Sequence, residues 1–177
     1  MKRALAIGAA AAAWTVPTAA EVRSTGPDRF EIEHRIDSAL PPGALYALIG
    51  QPARWWSDAH TYSGKAANLS VDLVPMGCWC ERMPDGKVVT HLRVGITQPG
   101  RRLLLIGLLG PLSTVAKAGA MNWTITPKGR GSTLVMNYKV GGMSADKVAP
   151  LAPAVDGVLG EQMTRLRKTA EDLAPSR

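Results

Sequence analysis

The sequence predicts an α+β domain, an antiparallel sheet with helices on one face. Three observations predict it. Residues 146–173 carry apolar side chains at helical spacing (Val148, Leu151, Val155, Leu159, Met163, Leu166), with Lys147, Glu161, Arg165, Arg167 and Lys168 opposite. Before them, short runs of alternating apolar and polar residues are separated by turn signals such as Pro84-Asp85-Gly86. Between the first run and the others, Pro41-Pro42 opens a short helical stretch. An amphipathic helix must bury one face, and the strands supply the surface.

The chain has 177 residues, enough for one domain with a core. Its start reads as a secretory signal: Lys2 and Arg3, an apolar run over 4–14, then Thr18-Ala19-Ala20 with cleavage expected after Ala20. The alternative is an uncleaved anchor, although the run is short and Ala-rich for a bilayer span. A cleaved chain is expected in the periplasm or outside the cell, with no stable membrane span. Residues 21–28 read as a flexible lead-in, 29–173 as the domain and 174–177 as a tail. Losing Lys2 and Arg3 lowers the net charge from +7 to +5. The remaining basic residues are not interleaved with aromatics, so no nucleic-acid partner is expected.

The elements follow in order. Residues 29–36 alternate, with Phe30, Ile32 and Ile36 on one side, as in a half-buried strand. His34 falls on that apolar side, where a histidine is more often a satisfied core residue than a ligand. A short helix over 43–49 ends at Gly50-Gln51-Pro52, and a second helical turn follows over 53–56. After an irregular stretch over 57–67, residues 69–73 form strand two. A hairpin centred on Asp85-Gly86 pairs Met83 with Val88, Glu81 with Thr90, Trp79 with Leu92, Cys80 with His91 and Cys78 with Arg93. One face of this hairpin then carries Trp79, Glu81, Met83, Val88, Leu92 and Val94, and it is assigned inward. Cys78, Cys80, Arg82, His91 and Arg93 lie on the other face. Gln98-Pro99-Gly100-Arg101 reads as a type II turn that sets Leu103 opposite Ile96 and Leu105 opposite Val94. A connection over 107–119 leads to strands at 120–127, with Met121, Trp123 and Ile125 on one side, and at 133–140, with Leu134, Met136, Tyr138 and Val140 on one side. Gly141-Gly142 breaks into the closing helix. Pro150 and Pro153 suit a first turn or a kink, so this helix is expected to begin at 146 or only near Pro153. Gly157 and Gly160 remove bulk from its middle, for close backbone packing or for a guest molecule.

The two cysteines, Cys78 and Cys80, lie two residues apart on a strand. That spacing separates their Cβ atoms by about 6.5 Å, against about 4 Å in a disulfide. A bridge needs a local bend, and free thiols are expected.

This order of elements resembles the START-like superfamily, also called SRPBCC, whose fold is named the helix-grip. The residues that carry the resemblance are the strand at 30–36, Ala53-Arg54-Trp55-Trp56, Gly77-Cys78-Trp79-Cys80-Glu81, the two turns, Gly119-Ala120-Met121-Asn122-Trp123 and the terminal helix. The resemblance implies a curved antiparallel sheet of six to seven strands around the long C-terminal helix, with two short helices after strand one. It also implies a cavity for a small, largely apolar molecule. Members of the superfamily include lipid carriers, hormone receptors, polyketide aromatases and cyclases, and chaperone ATPase activator homologues. The export signal departs from the cytoplasmic setting of the last group.

Two function classes follow. The first is an exported binding or carrier domain, with a pocket expected among Trp55, Trp56, Trp79, Glu81, Leu92, Met121, Trp123, Tyr138 and Gly157. Any one of these rings more often fills an ordinary core, and only their convergence favours a pocket. The second is a cyclase- or dehydratase-like enzyme using Glu81 as a base of raised pKa, with His91 or Tyr138 as partner. Against it stands a Glu81 merely solvated at the strand end. Cys78, Cys80 and His91 share a face and could hold a soft metal, but a fourth ligand is missing, and no metal or cofactor is expected. Asp58 and His60 could form a polar rim or belong to a plain loop. The sequence shows no Ser-centred elbow, phosphate loop or His-Glu-x-x-His pattern.

Overall fold

A computed structural model describes residues 21–174, so the signal sequence assigned to 1–20 and most of the tail lie outside the described residues. Ten elements follow one another: β1 (Glu21–Thr25), β2 (Arg29–Ser38), α1 (Pro42–Ile49), β3 (Leu69–Val71), β4 (Cys78–Arg82), β5 (Val88–Gln98), β6 (Arg102–Gly107), β7 (Ala118–Lys128), β8 (Gly131–Gly141) and α2 (Ala145–Leu173). Short 3-10 turns fill the connections at Pro52–Arg54, Asp58–His60, Ala66–Asn68 and Gly110–Thr114. The strands form one antiparallel sheet of eight, in the order β1-β2-β8-β7-β6-β5-β4-β3. The eighth strand beyond the expected six to seven is β1, which pairs with β2 where a lead-in was expected.

Six consecutive strands, β3 to β8, form a meander, as their turn signals require. At the Pro99 turn Arg101 N donates to Gln98 O at 2.9 Å, closing the expected loop. The first hairpin differs from expectation by one residue. Met83 N donates to Lys87 O at 2.8 Å around a three-residue loop with Gly86 at φ +83°, so Arg82 rather than Met83 faces Val88. A left-handed residue at that position favours a three-residue loop over the two-residue turn. The register is restored at a bulge: Cys80 faces Thr90, Trp79 faces Leu92, and His91 is the extra residue on β5. A second irregularity lies between Val94 and Ile96, so Leu105 meets Val94 as expected while Leu103 meets Thr97.

The helix α2 runs unbroken through both prolines. Pro150 and Pro153 each lack the N–H that would bond four residues back, which frees the carbonyls of Asp146 and Ala149. Those positions are exposed, so water can satisfy the freed groups, and the helix need not begin at Pro153. Its buried face is Val148, Ala152, Leu159, Gln162, Met163, Leu166 and Ala170. At one end of the strand order it packs on β2 and β1. At the other it faces β3, β4 and β5 across a cavity. The sheet therefore curls around the helix. Among the described residues no helix is long and apolar enough to cross a membrane.

Candidate functional site

The cavity has a volume of about 350 Å³ and is mainly apolar. One wall is α2, through Leu151, Ala154, Val155, Val158 and Leu159. The second is the connection after β6, Leu109 to Leu112, and the third combines Leu69, Trp79 and His91 of the sheet with Trp56 and residues 59–62. Leu151 and Val155 belong to the apolar stripe of α2 yet stay only partly buried, because the surface they face is this hollow.

The loop between α1 and β3 is fixed from two sides. Trp55 Nε1 donates to Leu48 O at 3.0 Å and Trp56 Nε1 to His60 O at 2.9 Å. From α2, the buried Gln162 accepts from Ser57 N at 2.8 Å, and Arg165 Nε donates to Trp55 O at 3.0 Å. His60 Nε2 meets Glu161 Oε2 at 2.9 Å across the cavity rim. Asp58 caps the next turn by accepting from Ala66 N at 2.6 Å, a structural role rather than a rim contact. Tyr138 holds the second wall: its hydroxyl accepts from Leu109 N at 3.1 Å and donates to Gly107 O at 3.3 Å. Burial pushes this phenol up to about 12, so it stays protonated. At Gly107 the chain leaves β6 with φ +140°, and a Cβ there would lie 2.7 Å from His91 O, so glycine is required for the turn into the wall.

Glu81 is fully buried, not solvated at a strand end. Its Oε2 accepts from Tyr62 N at 3.1 Å and its Oε1 from Ser63 N at 2.5 Å. His91 Nε2 lies 3.0 Å from Oε2. Burial pushes the carboxyl up. The Ser63 side chain and N–H, the Tyr62 N–H and His91 together outweigh it and hold the carboxyl below the usual range. The expected base of raised pKa is therefore an ionised acceptor with its donors already in place. The β5 bulge explains the partner. It turns His91 inward beside Leu92, where regular pairing would set it outward against Cys80. The His91 ring stacks on Tyr62, centroids 5.6 Å apart and 18° from parallel.

The outward face changes accordingly. Cys78 and Cys80 form a disulfide, with Cα atoms 5.3 Å apart, where free thiols were expected. That Cα separation is below the roughly 6.5 Å of two residues along a regular strand, and this local contraction is the bend that a bridge over the spacing requires. With His91 turned away, these three residues do not converge, and no cluster of three metal-ligating side chains occurs among the described residues.

Of the residues expected around a pocket, Trp56 and Trp79 line the cavity and Glu81 stands behind His91. Trp55 is a core ring, edge-on to Trp56, Trp79 and Trp123 at 5.4, 6.1 and 6.2 Å. Leu92, Met121 and Trp123 are buried in the same core. Gly157 does not make room for a guest: it is exposed, with nothing within 4 Å of where a Cβ would stand. The sequence reading set a cavity against the terminal helix but named only Gly157 there, not the Leu151 to Leu159 side chains that line it, and it missed the Leu109 to Leu112 wall. The leucines at 108, 109 and 112, in a connection broken by glycine and proline, were the available signal. A second pair lies where α2 packs on β2: the buried His34 Nε2 and the half-buried Asp156 Oδ1 are 3.0 Å apart without a well-aligned hydrogen bond.

No family model and no curated protein matches the chain. Solved structures resemble it in fold. The Mesorhizobium loti protein MLL2253 superposes with a TM-score of 0.59 at 15% identity, covering 81% of this chain and 98% of that one. The Enterococcus faecalis protein EF2215, described as a conserved protein of unknown function, gives 0.62 at 10% identity, with coverages of 89% and 80%. The di-domain ARO/CYC StfQ of the steffimycin biosynthetic pathway gives 0.56 at 15% identity over 82% of this chain, which spans 52% of that protein. The likenesses fit a helix-grip-like arrangement and concern the fold alone.

Proposed function

We propose that this chain is a START-like binding domain that holds a small apolar molecule between its sheet and α2, and that it works outside the cytoplasm. The observation that carries the binding reading is the cavity of about 350 Å³ with mainly apolar walls, within the size range of small-molecule sites. Its walls are held by Gln162, Arg165 and Tyr138 rather than left to collapse. The signal-like start and the Cys78–Cys80 disulfide support an oxidising compartment. Native mass spectrometry of protein purified from its own host tests the reading. A bound species of a few hundred daltons, or uptake of one equivalent of 1-methylnaphthalene, is expected. Protein that arrives empty and takes up no apolar probe overturns it.

A second reading is a cyclase- or dehydratase-like enzyme in the same cavity. One observation favours it: Glu81 and His91 lie 3.0 Å apart at the cavity wall. The ionised Glu81 orients and His91 handles the proton. The fold likeness to ARO/CYC domains is compatible with this reading. It predicts faster α-proton exchange of an aromatic ketone such as 1-acetonaphthone in D2O, lost in His91→Phe. Exchange no faster than in buffer excludes it.

A further inference from the structure

The binding reading leaves open what polar group the guest carries, and His91 answers it. The inference rests on that reading. Glu81 is fully enclosed and ionised, and it can only accept, so the Nε2 that meets it at 3.0 Å must be the donor. A neutral imidazole whose proton sits on Nε2 has a lone pair on Nδ1. That nitrogen makes no hydrogen bond among the described residues, and His91 lines the cavity. The contact to Glu81 fixes which way round the ring sits, because turning it over would set a carbon against the carboxylate.

We infer that this cavity selects an apolar, roughly two-ring molecule carrying a hydroxyl that donates to His91 Nδ1, such as a phenol or an enol. Glu81 is the positioning residue: it sets the tautomer and does not touch the guest. The other lining residues with polar side chains are His60, Thr61 and Tyr62: His60 pairs with Glu161, the Thr61 hydroxyl donates to Asp58 O, and Tyr62 is exposed. A hydroxyl carried inside therefore meets His91 or goes unpaired, and an unpaired buried hydroxyl is penalised.

Isothermal titration with two probes of matched size, 1-naphthol and 1-methylnaphthalene, tests this. Wild-type protein is expected to bind 1-naphthol at least as tightly as 1-methylnaphthalene. His91→Phe, which keeps a ring against Tyr62, is expected to weaken 1-naphthol about tenfold and leave 1-methylnaphthalene within about threefold. In Glu81→Gln the amide can donate to Nε2 and drive the ring proton to Nδ1. The preference should then shift from 1-naphthol toward 1-naphthaldehyde, an acceptor, which loss of packing alone would not produce. If Glu81→Gln does not fold, His91→Phe still decides. Equal loss of both probes in His91→Phe, or no loss of 1-naphthol, overturns the inference while binding itself stands. If wild-type protein takes up neither probe, the binding reading falls and the inference with it.

Discussion

Glu81 has three donors aimed at one enclosed carboxylate, and removing it would leave two part-buried backbone N–H groups without their acceptor. Each stranded donor costs about 1–3 kcal/mol. Glu81→Ala is therefore expected to lose about 3 kcal/mol or more in urea unfolding, and to free the end of the loop at Tyr62 and Ser63. The same carboxylate has a pH signature. Its folded pKa lies below the ordinary 4.5, so its stabilisation is complete above that value and is lost as pH falls through the lower folded one. His34 acts at higher pH. Burial pushes its imidazole below 6.5, and Asp156 offsets this only in part. The unfolded chain then takes up protons that the folded one does not, so stability declines as pH drops below about 6.5. Urea unfolding at pH 7.5, 5.5 and 4 should show two successive losses, and His34→Gln should flatten the first. A midpoint that does not change between pH 7.5 and 5.5 would contradict the assignment to His34.

At the scale of elements, most of the architecture was legible because its signals are local. The Pro99 turn, the alternation in β2, β7 and β8 and the apolar stripe of α2 each depend on neighbours in sequence. The hairpin between β4 and β5 shows where this stops. Its turn was recognised, but a three-residue loop and a compensating bulge moved His91 to the opposite face. A bulge depends on how two strands fit rather than on either strand's composition, so parity counting cannot find it. The disulfide was missed because regular strand geometry forbids it, while the Cα atoms of Cys78 and Cys80 stand only 5.3 Å apart. A bridge over so short a span constrains the unfolded chain little. The Cys78→Ser, Cys80→Ser double variant should lose no more than about 2 kcal/mol. In α2, Gly157 was read as room made for something, but it faces open space. Gly157→Ala should stabilise by about 1 kcal/mol in thermal unfolding and leave probe binding unchanged.

At the scale of the whole molecule, the cavity arises because α2 meets the rest of the fold along two contact lines with a gap between them. One line is α2 on β1 and β2. The other is the polar latch of Gln162 and Arg165 onto Trp55 and Ser57, with Glu161 on His60. Leu151 and Val155 lie between the lines and are left half-covered. The sequence could place the stripe on α2 but not the latch, whose partners lie about a hundred residues apart. Nor could it separate core tryptophans from lining ones, since Trp55 and Trp56 are adjacent and only the second meets the cavity. The central claim is that this hollow is a binding chamber. Its most direct test is titration of 1-methylnaphthalene into the wild-type protein and into Val155→Trp, whose indole would occupy the space. One site is expected in the wild type and at least tenfold weaker binding in the folded variant; no binding to the wild type, or equal binding to both, would contradict the account.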